Sequence, residues 1–182
     1  MKKDICRVPK KVDEFLKKNA SKFEFINHKK VFTAYDKAAT LKIKPSAIGK
    51  VLVLRLDKDL AMVLIPGDKN LDFVSLREIP HSGKKLKQTS MAKKIDFVKE
   101  AVIKNKFKGV DPGAIPPLCG LWGMKVFVDR TLMGQAKIIM SAGSYEWSIK
   151  MTPAAFKKLT PDLVVGNFAK PKERKLKQKK KK

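Results

Sequence analysis

The chain has 182 residues, 43% of them hydrophobic, enough to bury one proper core, so a single domain with tails is expected. Lys plus Arg outnumber Asp plus Glu by 42 to 17, a formal net charge of +25 that attracts polyanions such as nucleic acid or an anionic membrane surface. Two cysteines, Cys6 and Cys119, are too few for a disulfide scaffold, and no apolar run suffices for a bilayer span or a signal peptide, so a soluble protein of the reducing cytoplasm is expected.

From Val8 to about Lys22, Val12, Phe15 and Leu16 recur at helical spacing among lysines, with Pro9 suited to a first turn, which predicts a cationic amphipathic helix. Phe23 to Ile26 alternates like a strand. Thr33 and Asp36 have capping-box spacing and predict a second helix, through Tyr35, Lys37, Ala38 and Ala39, which Pro45 punctuates. Val51 to Leu54 and Leu60 to Ile65, flanking Asp57-Lys58-Asp59, read as a hairpin of two buried strands. Pro66-Gly67-Asp68 stops it, and Leu71, Val74, Leu76 and Ile79 fit a short helix before Pro80.

Lys84 to Thr89 suits a lysine-blunted edge strand, and Ser90 suits the cap of a helix running through Ile103 with Ile95, Val98, Val102 and Ile103 inward. Three more strands are expected over Lys125 to Asp129, Ala136 to Met140 and Glu146 to Met151. Thr152 followed by Pro153 starts a closing helix to about Leu159, and the chain from Lys170 onward is too charged to pack and is expected to be disordered. The result is a mixed α/β (α+β) domain with a mainly β centre.

Three features suggest a site. The loop Gly113-Ala114-Ile115-Pro116-Pro117 can be neither helix nor ladder strand, because adjacent prolines remove two donors; its remaining N–H groups can face a ligand oxygen, or it can be a plain turn. Lys50 opens an apolar strand where Val or Leu would satisfy the pattern, so it is either a partly desolvated cation or a solvent-facing edge residue. Ser141-Ala142-Gly143 ends a strand with small residues and a hydroxyl, which permits close ligand approach. His28 and His81 lack metal-ligand spacing, so no metal and no cofactor are expected. Neither a Gly-x-Ser-x-Gly elbow nor a Walker-type loop occurs; a Cys119 nucleophile with His28 as base is conceivable, with no spacing rule behind it.

Taken in order, these segments resemble the YbaK-like aminoacyl-tRNA editing deacylases, relatives of the editing domain inserted in bacterial prolyl-tRNA synthetases. The resemblance covers roughly His28 to Leu159. It rests on His28 with Thr33-Ala34 and Ala38-Ala39, Lys50 opening Val51 to Leu54, Val63-x-Ile65-Pro66-Gly67-Asp68, the Gly113 to Pro117 loop, Val126 to Asp129 with Leu132, and Ser141-Ala142-Gly143. It implies a central, mostly antiparallel sheet or barrel flanked by helices, with residues 1–25 a basic helical extension, 26–165 the editing domain and 166–182 a disordered Lys-rich tail. It implies a free-standing hydrolase that cleaves the ester of mischarged tRNA, with tRNA as partner, an aminoacyl-tRNA synthetase as a further candidate, and no membrane or metal. By position, Lys50 would hold the terminal adenosine and aminoacyl group, and Gly113, Ala114 and Ile115 would stabilise the oxyanion. His28, Thr33, Pro116, Pro117, Ser141, Ala142 and Gly143 would bind substrate, with water activated by the substrate's ribose hydroxyl. Cys119-Gly120 follows the loop where relatives often carry Phe-Gly, and Ser144 to Ser148 lacks the aspartate some relatives use, which leaves the rejected amino acid open. The rival reading is a non-catalytic RNA-binding module of the same fold.

Overall fold

The computed structural model describes residues 8–19, 22–78 and 92–172. The N-terminal amphipathic stretch forms α1 (Lys10–Asn19), which buries Val12 and Leu16 and leaves Lys10, Lys17 and Lys18 exposed. Strand β1 (Glu24–Asn27) precedes α2 (Ala34–Thr40), which Thr33 starts by accepting the Asp36 N–H on its hydroxyl. A single 3-10 turn at Pro45–Ala47 feeds β2 (Gly49–Leu56), and the two-residue turn Asp57-Lys58 returns the chain as β3 (Asp59–Pro66). Then come β4 (Lys69–Leu71), α3 (Phe73–Arg77) capped by Asp72, β5 (Ile95–Phe97), α4 (Glu100–Lys106) and α5 (Cys119–Trp122). Strand β6 (Lys125–Asp129), α6 (Arg130–Met133), β7 (Ile138–Ser144), β8 (Trp147–Met151), α7 (Pro153–Leu159), β9 (Val164–Gly166) and β10 (Ala169–Pro171) complete the fold.

The central sheet runs β5-β2-β3-β6-β9. Strand β2 is antiparallel to β3 and β5, whereas β3, β6 and β9 are mutually parallel neighbours. The sheet is therefore mixed, because β6 arrives through a long connection that can bring it in parallel. Among the described residues it closes into no barrel, since β5 and β9 remain as edges. An antiparallel sheet β1-β8-β7 and the pair β4-β10 lie beside it.

Alternate residues explain why β2 and β3 read as continuous apolar runs. Met62 and Leu64 face a core with Val12, Leu16, Phe107, Met140, Ile149 and Phe156, while Ala61, Val63 and Ile65 face a second core with Leu76 and Phe168. A sheet buried on both faces leaves no polar face to alternate. A third small cluster, Ala38, Ile48 and Ile139, seats α2 at the seam where β2 meets β7, bridged at Ile48 and Ile139. That seam positions the site.

Two expectations change. The expected helix from Ser90 through Ile103 is a strand followed by a shorter helix. The carboxylate of Asp57 accepts the Lys93 and Lys94 N–H groups, at 3.2 and 2.8 Å, and draws Ile95–Phe97 onto the open edge of β2. The chain near Lys170, expected to be without structure, adds β10 to the edge of β4, where its backbone gains ladder hydrogen bonds whatever its side chains. The edge strand expected over Lys84 to Thr89, His81, Cys6 and residues 173–182 of the tail lie outside the described residues.

Candidate active site

A cleft of about 280 Å³ opens at the seam, between α2, the head of β2, the turn after β3, β7 and the Gly113 loop. Four residues singled out in the sequence reach it from four segments: Thr33, Lys50, Gly113 and Ser141. Among the described residues its charges are Lys37, Lys50 and Lys172, and no carboxylate lines it. Its wall includes Phe32 and Tyr35, 68% and 46% exposed, with Lys172 Nζ 4.2 Å from the centre of the Tyr35 ring and Phe32 edge-to-face with Tyr145.

Lys50 is half-buried, and its Nζ donates to the Lys69 carbonyl at 2.9 Å. Burial and the neighbouring Lys172 hold its pKa below the ordinary lysine value, while Asp68 opposes them. Lys37 is 6% exposed, and its Nζ donates to Ser141 Oγ at 2.8 Å. Burial lowers its pKa to about 8. In the sequence Lys37 was only part of a helix, yet it stands three residues after Ala34, one before Ala38 and four before Leu41, on the inward stripe. A lysine on an apolar stripe was the available signal.

The Gly113 loop is clamped to β7. Asp111 N–H donates to the Gly143 carbonyl at 3.0 Å, and Gly143 N–H donates to the Ala114 carbonyl at 2.9 Å. Gly143 has φ +96 with Pro9 Cγ 2.8 Å from where a Cβ would stand, so any side chain would strain the backbone and strike Pro9. Gly113, with φ +85, is the member of the loop that faces the cleft. Ala114, Ile115, Pro116 and Pro117 are buried, the Ala114 N–H is spent on the Asp111 carbonyl at 2.9 Å, and the Pro116 carbonyl accepts from Trp122 Nε1 at 2.8 Å. Ala142 is likewise in the core, and Gly143 borders a neighbouring hollow with Pro9 and Lys30. Tyr145 joins the two, donating from its hydroxyl to the Pro112 carbonyl and from its N–H to Asp111 at 3.0 Å.

His28 is buried and does not line the cleft. Its Nδ1 is 2.8 Å from the Lys29 carbonyl, which can only accept, so Nδ1 carries the proton and Nε2 accepts from the Ser148 hydroxyl at 2.9 Å. Burial lowers its pKa, with the nearby Lys37 adding to the effect. Both ring nitrogens are thereby committed, and Cys119, with Sγ 3.8 Å from the Leu159 carbonyl, is not part of the cleft lining. The conceived thiol–imidazole pair is not assembled. Among the described residues no group of three metal-ligating side chains occurs, and no helix is long and apolar enough to cross a membrane.

Comparison with known families places residues 28–159 in the aminoacyl-tRNA editing domain. The chain belongs to that family. The match spans most of the chain, including α2, the hairpin β2–β3, the Gly113 loop and β7. Solved structures share its fold. The structure described as "a putative trans-editing enzyme for prolyl tRNA synthetase" is 17% identical with a TM-score of 0.71, covering 90% of this chain and 97% of that one. The hypothetical protein APE2540 is 22% identical with a TM-score of 0.72, covering 88% of this chain and 99% of that one. At these identities the likeness is one of fold. No curated protein sequence matches the chain. The aminoacyl-tRNA editing domain thus carries its candidate site at the seam of two sheets, where α2, β2, β7, the turn after β3 and the Gly113 loop converge.

Proposed function

We propose that this editing domain is an aminoacyl-tRNA deacylase acting in trans, hydrolysing the ester between a wrong amino acid and the 3′-terminal ribose of a tRNA. The observation that carries the reading is the cleft itself: it gathers Lys37, Lys50, the serine hydroxyl and the glycine loop from the family-matched span, adds Lys172 from beyond it, and among the described residues is lined by no carboxylate that would repel a nucleotide phosphate. Lys50 holds the terminal nucleotide and aminoacyl oxygens through its ammonium. Gly113, as the loop residue facing the cleft, offers the backbone donor for the oxyanion, and Thr33 and Ser141 border the ester. Phe32 and Tyr35 present stacking faces for unpaired bases of the 3′ end. Water attacks with help from the substrate's own ribose hydroxyl, which suits a site whose histidine is spent internally. The lysines of α1 and of the C-terminal segment add sequence-independent attraction for the tRNA backbone in the cytoplasm.

The test is release of amino acid from a panel of mischarged tRNAs: Pro-type acceptors carrying Ala or Cys, and others carrying Ser or Thr. Losing a charge-assisted contact of roughly 1.5–3 kcal/mol predicts that Lys50→Ala lowers kcat/KM about 10- to 150-fold. Cys119→Ala is expected within about 2-fold of wild type, because the thiol touches no reacting atom. Turnover destroyed by Cys119→Ala alone would sink the reading. No turnover by wild type, with tight salt-sensitive tRNA binding, would replace it by the RNA-binding module.

A further inference from the structure

An oxyanion is held well by two donors, and the loop turns one residue toward the cleft while spending the Ala114 N–H on Asp111. The cleft floor holds a second candidate. Ser141 Oγ accepts from Lys37 Nζ at 2.8 Å, and a hydroxyl that accepts from an ammonium must aim its own hydrogen elsewhere. Both residues border the same cleft as Gly113, so that hydrogen has the cleft to point into. A buried lysine costs stability, and a simple apolar side chain would have satisfied the inward stripe of α2.

We infer that Ser141 is the second oxyanion donor of the deacylase, and that Lys37 is a positioning residue that fixes the direction of its hydroxyl. The inference rests on the deacylase reading above. While Lys37 is protonated, Ser141 cannot donate to it and its hydrogen is available to the cleft; once Lys37 is neutral, its lone pair can accept the serine hydrogen and withdraw it from the ester. Among the described residues, the charged and titratable groups around this pair are His28, which feels the Lys37 charge, and Lys50, Tyr145 and Lys172, which line the same cleft. Burial lowers the pKa of His28, the Lys29 hydrogen bond opposes that, and the Lys37 charge lowers it further. Lys37, its pKa lowered by burial to about 8, loses its charge as pH rises through that value.

The experiment measures single-turnover rate and KM on the most readily deacylated tRNA of the panel, from pH 6.5 to 9.5, for wild type, Ser141→Ala, Ser141→Thr and Lys37→Met. Every protein meets the same substrate, so titration of its amino group cancels in the ratios. Ser141→Ala is expected to lower kcat by about 10²-fold or more with KM little changed, as for loss of one oxyanion donor. Ser141→Thr, which keeps the hydroxyl, recovers most of that loss. The wild-type to Lys37→Met ratio is expected to be well above one near pH 7 and to fall as pH rises through about 8. A flat ratio, a Ser141→Ala rate within about 2-fold of wild type, or an acyl group trapped on Ser141 in quenched reactions would each overturn the inference while leaving deacylation standing. Absence of turnover in wild type on every substrate would instead overturn the deacylase reading on which it rests.

Discussion

Replacing Lys37 by Met should make the folded protein more stable at pH 7 even as it impairs the site. Lys37 is 6% exposed, and its pKa stands at about 8 instead of the ordinary 10.5. At roughly 1.4 kcal/mol per pH unit, that difference corresponds to ~3 kcal/mol of cost for carrying the charge when folded. Met fills similar volume without a charge, but it forfeits the hydrogen bond to Ser141, worth about 1 kcal/mol, leaving a net gain of ~2 kcal/mol. Between about pH 8 and 10.5 the unfolded chain binds more protons at this lysine than the folded one does, so wild-type stability rises with pH across that window. The gap between the two proteins should therefore close before pH 10.5 and reverse there to about 1 kcal/mol in favour of wild type, the hydrogen bond that Met lacks. Urea denaturation of both proteins at pH 7 and pH 10.5 reads this directly. A variant less stable than wild type at pH 7, or a gap independent of pH, would refute the argument.

Asp129 offers a separate test of stability. It is 2% exposed and accepts the Thr131 N–H at 2.9 Å and the Phe168 N–H at 2.8 Å, tying the start of α6 to the segment before β10. Two hydrogen bonds to a buried carboxylate predict a loss of roughly 3 kcal/mol for Asp129→Ala, measured by the same denaturation. Binding of uncharged tRNA should weaken steeply with salt. About four phosphate contacts to the single-stranded end correspond to a log–log slope near −3, or roughly 50-fold between 50 and 200 mM salt, measurable by filter retention. A slope near zero would remove the electrostatic account of the cleft and the basic surface.

Local signals located most elements. The Thr33 and Thr152 caps act on N–H groups three residues downstream, and the Asp57-Lys58 turn separates two apolar runs, so each is decided within a few residues. Where pairing partners are distant, the same reasoning fails. Ile95, Val98 and Val102 fit a helix by spacing, yet Ile95–Phe97 is a strand because the edge of β2 lies open beside it. Ala169–Pro171 is a strand for the same reason against β4.

The family, the mixed α/β class and four of the cleft residues, Thr33, Lys50, Gly113 and Ser141, follow from motifs whose order along the chain is preserved whatever the detailed packing. Which residues share the cleft does not follow, because that depends on β2 and β7 meeting at Ile48 and Ile139, more than ninety positions apart. The meeting of these strands turns Ala114, Ile115 and His28 into supports and brings Lys37 against Ser141, 104 residues away. Chain pattern reports which faces are apolar, since that is a periodic and local property. The protonation and direction of a buried donor are set by what lies opposite it, and only the tertiary structure brings that partner there.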